Sequence, residues 1–167
     1  MNNRAEQLRQ QLIRNFDDLP KQRELRAPLY DTLCGRLARG TAARGLGMSI
    51  DIVSPGKRAC PYHLHHAQEE AFVILEGRGT LRVAGEMLEL KAGDVAFLPP
   101  GPEYPHQIWN TSDAPLKYLS ISTQVRPEIV EYPDSGKYLA SAGPSGPPQF
   151  ARMSTLGEDL DYWSGEP

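Results

Sequence analysis

CPYHLHHAQEEAFVILEGRG, residues 60–79, holds three of the four histidines in the chain, with two acids following at once and then an apolar run. His63 and His65 are two apart, so on a strand both side chains point to one face. The apolar stretch Ala71–Leu75 reads as the next strand, and the turn over 66–69 folds its start back beside the histidines. Glu70 then offers a carboxylate to the same point. The only other histidine is His106, at the head of another strand after a proline-rich turn, and Asn110 shares its parity. Three imidazoles and one carboxylate suit a divalent first-row metal such as Fe, Mn, Co, Ni, Cu or Zn. An HxH pair alone is a weak signal. HxHx4E with a distant histidine is a much stronger one.

Around this stretch the pattern is β. MSIDIVSPG alternates and then turns. TLRVAGEMLELKAGD reads as a hairpin turning at Gly85, VAFLPPG as a strand stopped by prolines, and HQIWNTSDAPLKYLSIST as a second hairpin turning over 112–115. Fifteen glycines and fifteen prolines cut the chain into short segments. Many short strands with frequent turns predict a sandwich or barrel. Residues 24–44 are harder to read, with one or two edge strands over about 29–38.

The two ends differ from the middle. Residues 2–16 carry Ala5, Leu8, Leu12 and Ile13 on one helical stripe, with Asn2 or Asn3 as cap and Pro20 as stop. Such a short helix is marginal alone and is expected to pack on the main domain or a second copy. In the tail, SAGPSGPP reads as an extended linker, and Leu156, Leu160, Tyr162 and Trp163 are apolar enough to dock. The division expected is a helix and arm over 1–25, a barrel over 26–126 and a C-terminal arm over 127–167.

Composition narrows the classes. The chain has 167 residues, 40% of them apolar, and a net charge of −3. Arg36, Arg39, Arg44, Lys57 and Arg58 are scattered along the sequence, which argues against nucleic acid as partner. No stretch approaches the ~20 apolar residues of a membrane span. The first fifteen residues lack a secretory signal, so Cys34 and Cys60 are expected to be free thiols in a reducing cytoplasm.

The motifs resemble those of the cupins. The first cupin motif, G-x5-H-x-H-x3-4-E-x6-G, corresponds to Gly56, His63, His65, Glu70 and Gly77, with one extra residue before His63. The second, G-x5-P-x-G-x2-H-x3-N, corresponds to Gly93, Pro99, Gly101, His106 and Asn110, with two extra residues in the PEYP stretch before His106. The resemblance covers about residues 45–125. It implies an all-β double-stranded β-helix, a jelly-roll barrel, here with a short N-terminal helix and an extended C-terminal arm. It implies one divalent transition metal (Zn, Mn, Fe, Ni or Co) held by His63, His65, Glu70 and His106. YPDSGK and the terminal DYWSGE also look like those of small bacterial cupins sometimes called sugar phosphate isomerases.

Three functions follow as expectations. The first is a metalloenzyme with an isomerase-like reaction on a small polar substrate, in which Glu70 or Tyr104, near the expected barrel mouth, moves a proton. The second is an Fe(II) dioxygenase. The third is a non-catalytic cupin that binds a metal or small ligand. Clustered Lys or Arg for a phosphate does not stand out in the sequence. Tyr62 and Cys60 have the wrong parity to face the site, and His66 faces solvent or orients a ligand. A homodimer is expected from the two extra termini.

Overall fold

The computed structural model describes residues 3–144, 148–157 and 159–166. Asn2, one of the two expected caps, and the middle of the SAGPSGPP stretch lie outside these. One helix, α1 (Asn3–Leu12), precedes thirteen described strands. A six-stranded sheet is built from β1 (Gln22–Arg26), β2 (Tyr30–Arg36), β3 (Leu46–Val53), β10 (Leu116–Thr123), β5 (Glu70–Glu76) and β8 (Val95–Leu98), in that spatial order. A three-stranded sheet runs β7 (Glu86–Lys91), β6 (Arg78–Val83), β9 (His106–Trp109). A four-stranded sheet runs β13 (Phe150–Thr155), β12 (Lys137–Ala142), β11 (Glu128–Tyr132), β4 (Leu64–His65). Every pairing between these strands is antiparallel. This is the all-β double-stranded β-helix that the motif resemblance implies.

Alternation decides which way each strand faces. In β5, Phe72 and Ile74 are buried while their neighbours are less so. They meet Val53, Leu98, Leu116 and Tyr118 of the same sheet and Leu81, Leu90 and Ile108 of the three-stranded sheet. The core therefore lies between these two sheets. Burying side chains of this size contributes about 1.5–3 kcal/mol each. Gly77 shows why the register is tight. It sits at φ 83°, and a side chain there would collide with the Pro115 carbonyl.

Several expectations need correction. Residues 106–123 are not a hairpin: β9 pairs with β6, while β10 pairs with β3 and β5. The turn between them carries the chain from one sheet to the other. β2 is not an edge strand, because β1 covers it. The hairpin over 78–91 is present, with its tight turn at Ala84 (φ 49°) and Gly85 (φ 85°). The helix stops at Leu12, short of the expected length, and buries none of its residues. Its stripe is too thin to seat on a sheet, with Leu8, Leu12 and Ile13 all exposed. The C-terminal region is more than an arm: β11 pairs directly with β4 at Val130↔His65. Leu156, Leu160, Tyr162 and Trp163 stay exposed rather than docking within the chain.

Candidate metal centre

His63 and His106 are set by the backbone before any side chain acts. The His63 N–H donates to the His106 carbonyl at 3.1 Å, and the His106 N–H donates to the His63 carbonyl at 2.7 Å. This reciprocal pair puts both rings on one face, with centroids 4.6 Å apart. The two extra residues before His106 are absorbed in the turn over 101–105, so β9 still opens at the histidine. His65 sits on β4, where its carbonyl accepts from Gly101 N at 2.8 Å. Glu70 opens β5, two residues before the buried Phe72, whose ring lies 5.7 Å from that of His106.

All four side chains meet at one oxygen. Oε2 of Glu70 lies 2.9 Å from His106 Nε2, 3.4 Å from His65 Nε2 and 3.7 Å from His63 Nε2. His63, Glu70 and His106 offer ligand atoms within 4.8 Å of one another, and His65 approaches Glu70 from beside them. Two of the remaining ring nitrogens are already committed. His63 Nδ1 donates to the Pro61 carbonyl at 2.8 Å, and His106 Nδ1 donates to the Tyr104 carbonyl at 2.9 Å. A carbonyl only accepts, so each Nδ1 carries the proton, and Nε2 of the neutral ring is a bare lone pair. Those lone pairs face a carboxylate. The arrangement is repulsive unless a positive charge, a proton or a cation, sits among them.

Charge balance agrees. Burial pulls the Glu70 carboxyl up, but His106, His63 and His65 together outweigh it and hold it well below the usual carboxylate range. Burial pushes His63 and His65 down. Cys60 and Glu70 beside His63, and Glu128 and Glu70 beside His65, overcome this and raise both. The donor set, three imidazole nitrogens and one oxygen with the far nitrogens of His63 and His106 anchored, fits a divalent transition metal.

Glu128 is the residue that the sequence reading missed. Its buried carboxylate accepts from the backbone N–H groups of His66, Ala67 and Gln68, at 3.0, 3.3 and 2.7 Å. Its Oε2 stands 3.7 Å from His65 Nδ1, which is buried and has no hydrogen bond among the described residues. A shift of less than an ångström would complete a carboxylate–histidine pair of the kind that orients metal ligands.

The other expected residues fall elsewhere. The Tyr104 phenol is 44% exposed, and Tyr104 serves the site through its carbonyl. Asn110 is fully buried but structural: it donates to the Val53 and Ala114 carbonyls and accepts from Ser112. His66 points outward and pairs with Glu131 at 2.6 Å. Tyr62 is buried away from the site under the Arg82 guanidinium, 3.7 Å from its ring centroid. Cys60 is a correction. Residues 60–62 form no strand, parity does not apply there, and the thiol lies 3.8 Å from His63 Nδ1. A cavity of about 490 Å³ opens on the three histidines and Glu70 and is also lined by Cys34, Asp51 and Tyr118. Asp51 accepts from the Ser49 hydroxyl, and its burial raises its carboxyl above the usual range.

The family described as the cupin domain matches residues 49–122. The chain carries a cupin domain. That domain spans β3 to β10 and contains all four converging side chains. The chain is 43% identical over 60 residues to an uncharacterized protein of Methanocaldococcus jannaschii, covering 36% of this chain and 46% of that one. It is 30% identical over 112 residues to auxin-binding protein 4 of Zea mays, covering 62% and 52% respectively. The chain thus spans about half the length of these curated relatives. Among solved structures it is similar to a sugar phosphate isomerase of the cupin superfamily from Silicibacter pomeroyi. The TM-score there is 0.73 and the identity 20%, over 89% of this chain and 96% of that one. At that identity the likeness concerns the fold. No described helix is long and apolar enough to cross a membrane.

Proposed function

We propose that the chain is a metal-dependent enzyme that carries out an isomerase-like proton transfer on a small polar substrate. The observation that carries this reading is the convergence of three Nε2 atoms on Glu70 Oε2, with two of the opposite ring nitrogens tied to carbonyls. His63, His65, His106 and Glu70 would hold a divalent metal. When bound, the metal would supply Lewis-acid polarisation of a substrate oxygen. The low titration range of Glu70 keeps it charged, which suits a ligand better than a proton carrier. Asp51 suits the second role. It lines the same cavity as the histidines, and burial raises its carboxyl, which favours a proton carrier over a permanent carboxylate. Phe72, Ile108 and Tyr118, all buried, supply the cavity with apolar wall. The named activity of the Silicibacter pomeroyi structure is consistent with this class of reaction.

A second reading, a cupin that binds a small ligand without turnover, is favoured by the likeness to a plant auxin-binding protein. Elemental analysis of chain purified without chelators tests the site on which both rest. One equivalent of transition metal per chain is expected, mostly lost in His65→Ala and retained in His66→Ala. Unchanged metal in His65→Ala would remove the assignment. Metal at full occupancy without proton exchange on any aldose or ketose, phosphorylated or not, would leave the second reading in place of the first.

A further inference from the structure

Four arginines that look scattered in the sequence come together in the fold. Arg36 ends β2, Arg39 and Arg44 lie on the β2–β3 loop, and Arg126 follows β10. All four line one cavity of about 560 Å³, and among the described residues the only carboxylate in its wall is Glu70. This cavity and the histidine cavity share Arg36, Ser49, Glu70 and Ser120 in their walls, so the two adjoin at Glu70. Strand register explains the meeting. Gly47, Ser122 and Glu70 form one row across β3, β10 and β5, and Arg36, Ser49 and Ser120 form the next row on the same face. With strands ~4.8 Å apart, the backbone of β2 lies about 14 Å from that of β5. An arginine reaching inward from that side covers about half the gap.

The basin is equipped for an anion. Among the described residues Arg36 has only a loose partner, Glu24 at 3.7 Å, and Arg126 donates to the Pro144 carbonyl. Arg39 and Arg44 form no ion pair with any described carboxylate. In a chain of net charge −3, four guanidinium groups around one cavity are not a by-product of general basicity. Neutral donors join them. Gln124 Nε2 reaches the Ser122 hydroxyl at 2.9 Å over Gly47, and a side chain at Gly47 would strike both groups, at 2.5 and 2.7 Å. The arginine loop is itself braced. Ala42 N donates to the Gln11 carbonyl at 2.9 Å and Arg14 donates to the Gly40 carbonyl at 3.0 Å, so the end of α1 holds it.

We infer that this basin seats the phosphoryl group of a phosphorylated substrate whose other end reaches the Glu70 centre. Guanidinium groups match tetrahedral oxyanions through paired N–H donors, and four of them exceed what a single carboxylate would require. The inference rests on the enzyme reading above and supplies its substrate class.

The test is calorimetric titration of the full chain with inorganic phosphate at low ionic strength, as purified and after metal removal. The variants are the double variant Arg39→Ala/Arg44→Ala, the single variant Arg126→Ala and the control Arg152→Ala on β13. One phosphate per chain is expected with or without metal. The double variant should bind about tenfold more weakly or worse, with its metal content unchanged, and the control should bind as the parent does. If the double variant does not fold, Arg126→Ala alone carries the comparison. Absence of phosphate binding, equal binding by the arginine variants, or acetate bound as tightly as phosphate would each overturn the inference. The outcome is separable from the fate of the enzyme reading. A chain that binds metal but no phosphate loses this basin only, and one that binds phosphate through its arginines but no metal loses the metal centre only.

Discussion

His106 can turn only one nitrogen towards Glu70, because the Tyr104 carbonyl holds the other. The same logic makes Glu128 testable. Glu128→Gln keeps the shape but removes the charge that faces His65. Metal affinity should fall about 10–100-fold while the chain still folds, read by competition with a chromophoric chelator. An affinity equal to that of the parent would mean that Glu128 only organises the turn over 66–68. A second residue-scale prediction concerns acid. Asp31 accepts both Arg23 donors at 2.8 Å and the Ser54 hydroxyl at 2.9 Å. The Arg23 and Ser54 hydrogen bonds hold its carboxyl down at about 2 in the folded chain. In the unfolded chain it titrates near 4. The contribution is therefore fully present above about pH 4 and is lost as pH falls towards 2. In a Tm-against-pH series, Asp31→Asn should flatten that part of the profile, and an unchanged acid limb would discount the interaction.

At the scale of elements, the β6–β7 turn places an alanine where φ is positive. Both central residues of such a turn favour Asn-Gly. Ala84→Asn should therefore stabilise the chain by about 0.5–1 kcal/mol in urea unfolding. A midpoint at or below that of the parent would show that another strain dominates there. Helix α1 buries nothing yet touches the arginine loop, so deleting residues 1–14 should barely move Tm but weaken phosphate binding several-fold. A large loss of Tm would instead mean that the helix belongs to the core. Sequence legibility follows the same division. His63, His65 and Glu70 were readable because the spacing that unites them is local, within eight positions of one strand–turn–strand unit. The hairpin over 78–91 was readable for the same reason. The β9–β10 segment was misread as a hairpin because two strands joined by a tight turn look alike whether or not they pair. Glu128 was invisible because it reaches the site through pairing of β11 with β4, and the arginine basin because Arg36, Arg39 and Arg44 meet Arg126 and Glu70 only through pairing of β10 with β3 and β5.

Over the whole molecule, one end of the space between the sheets is apolar and the other carries the charged centre. Phe72 lies on the boundary, against both Tyr118 and His106. Phe72→Ala should cost about 3–5 kcal/mol and loosen the metal together with the core, seen as a parallel loss of urea midpoint and metal content. Loss of one without the other would mean that the two ends are mechanically independent. The contact between Glu128 and the turn after His65 also joins residues about sixty positions apart in the chain. Synthesis on the ribosome runs at roughly 5–20 residues per second. His63, His65 and Glu70 therefore exist for ~3–12 s before the carboxylate that completes their surroundings has been made. On the metal-dependent reading proposed above, a metal arriving in that interval would meet His65 without its carboxylate partner, so firm loading is expected only once β11 has been made and paired with β4.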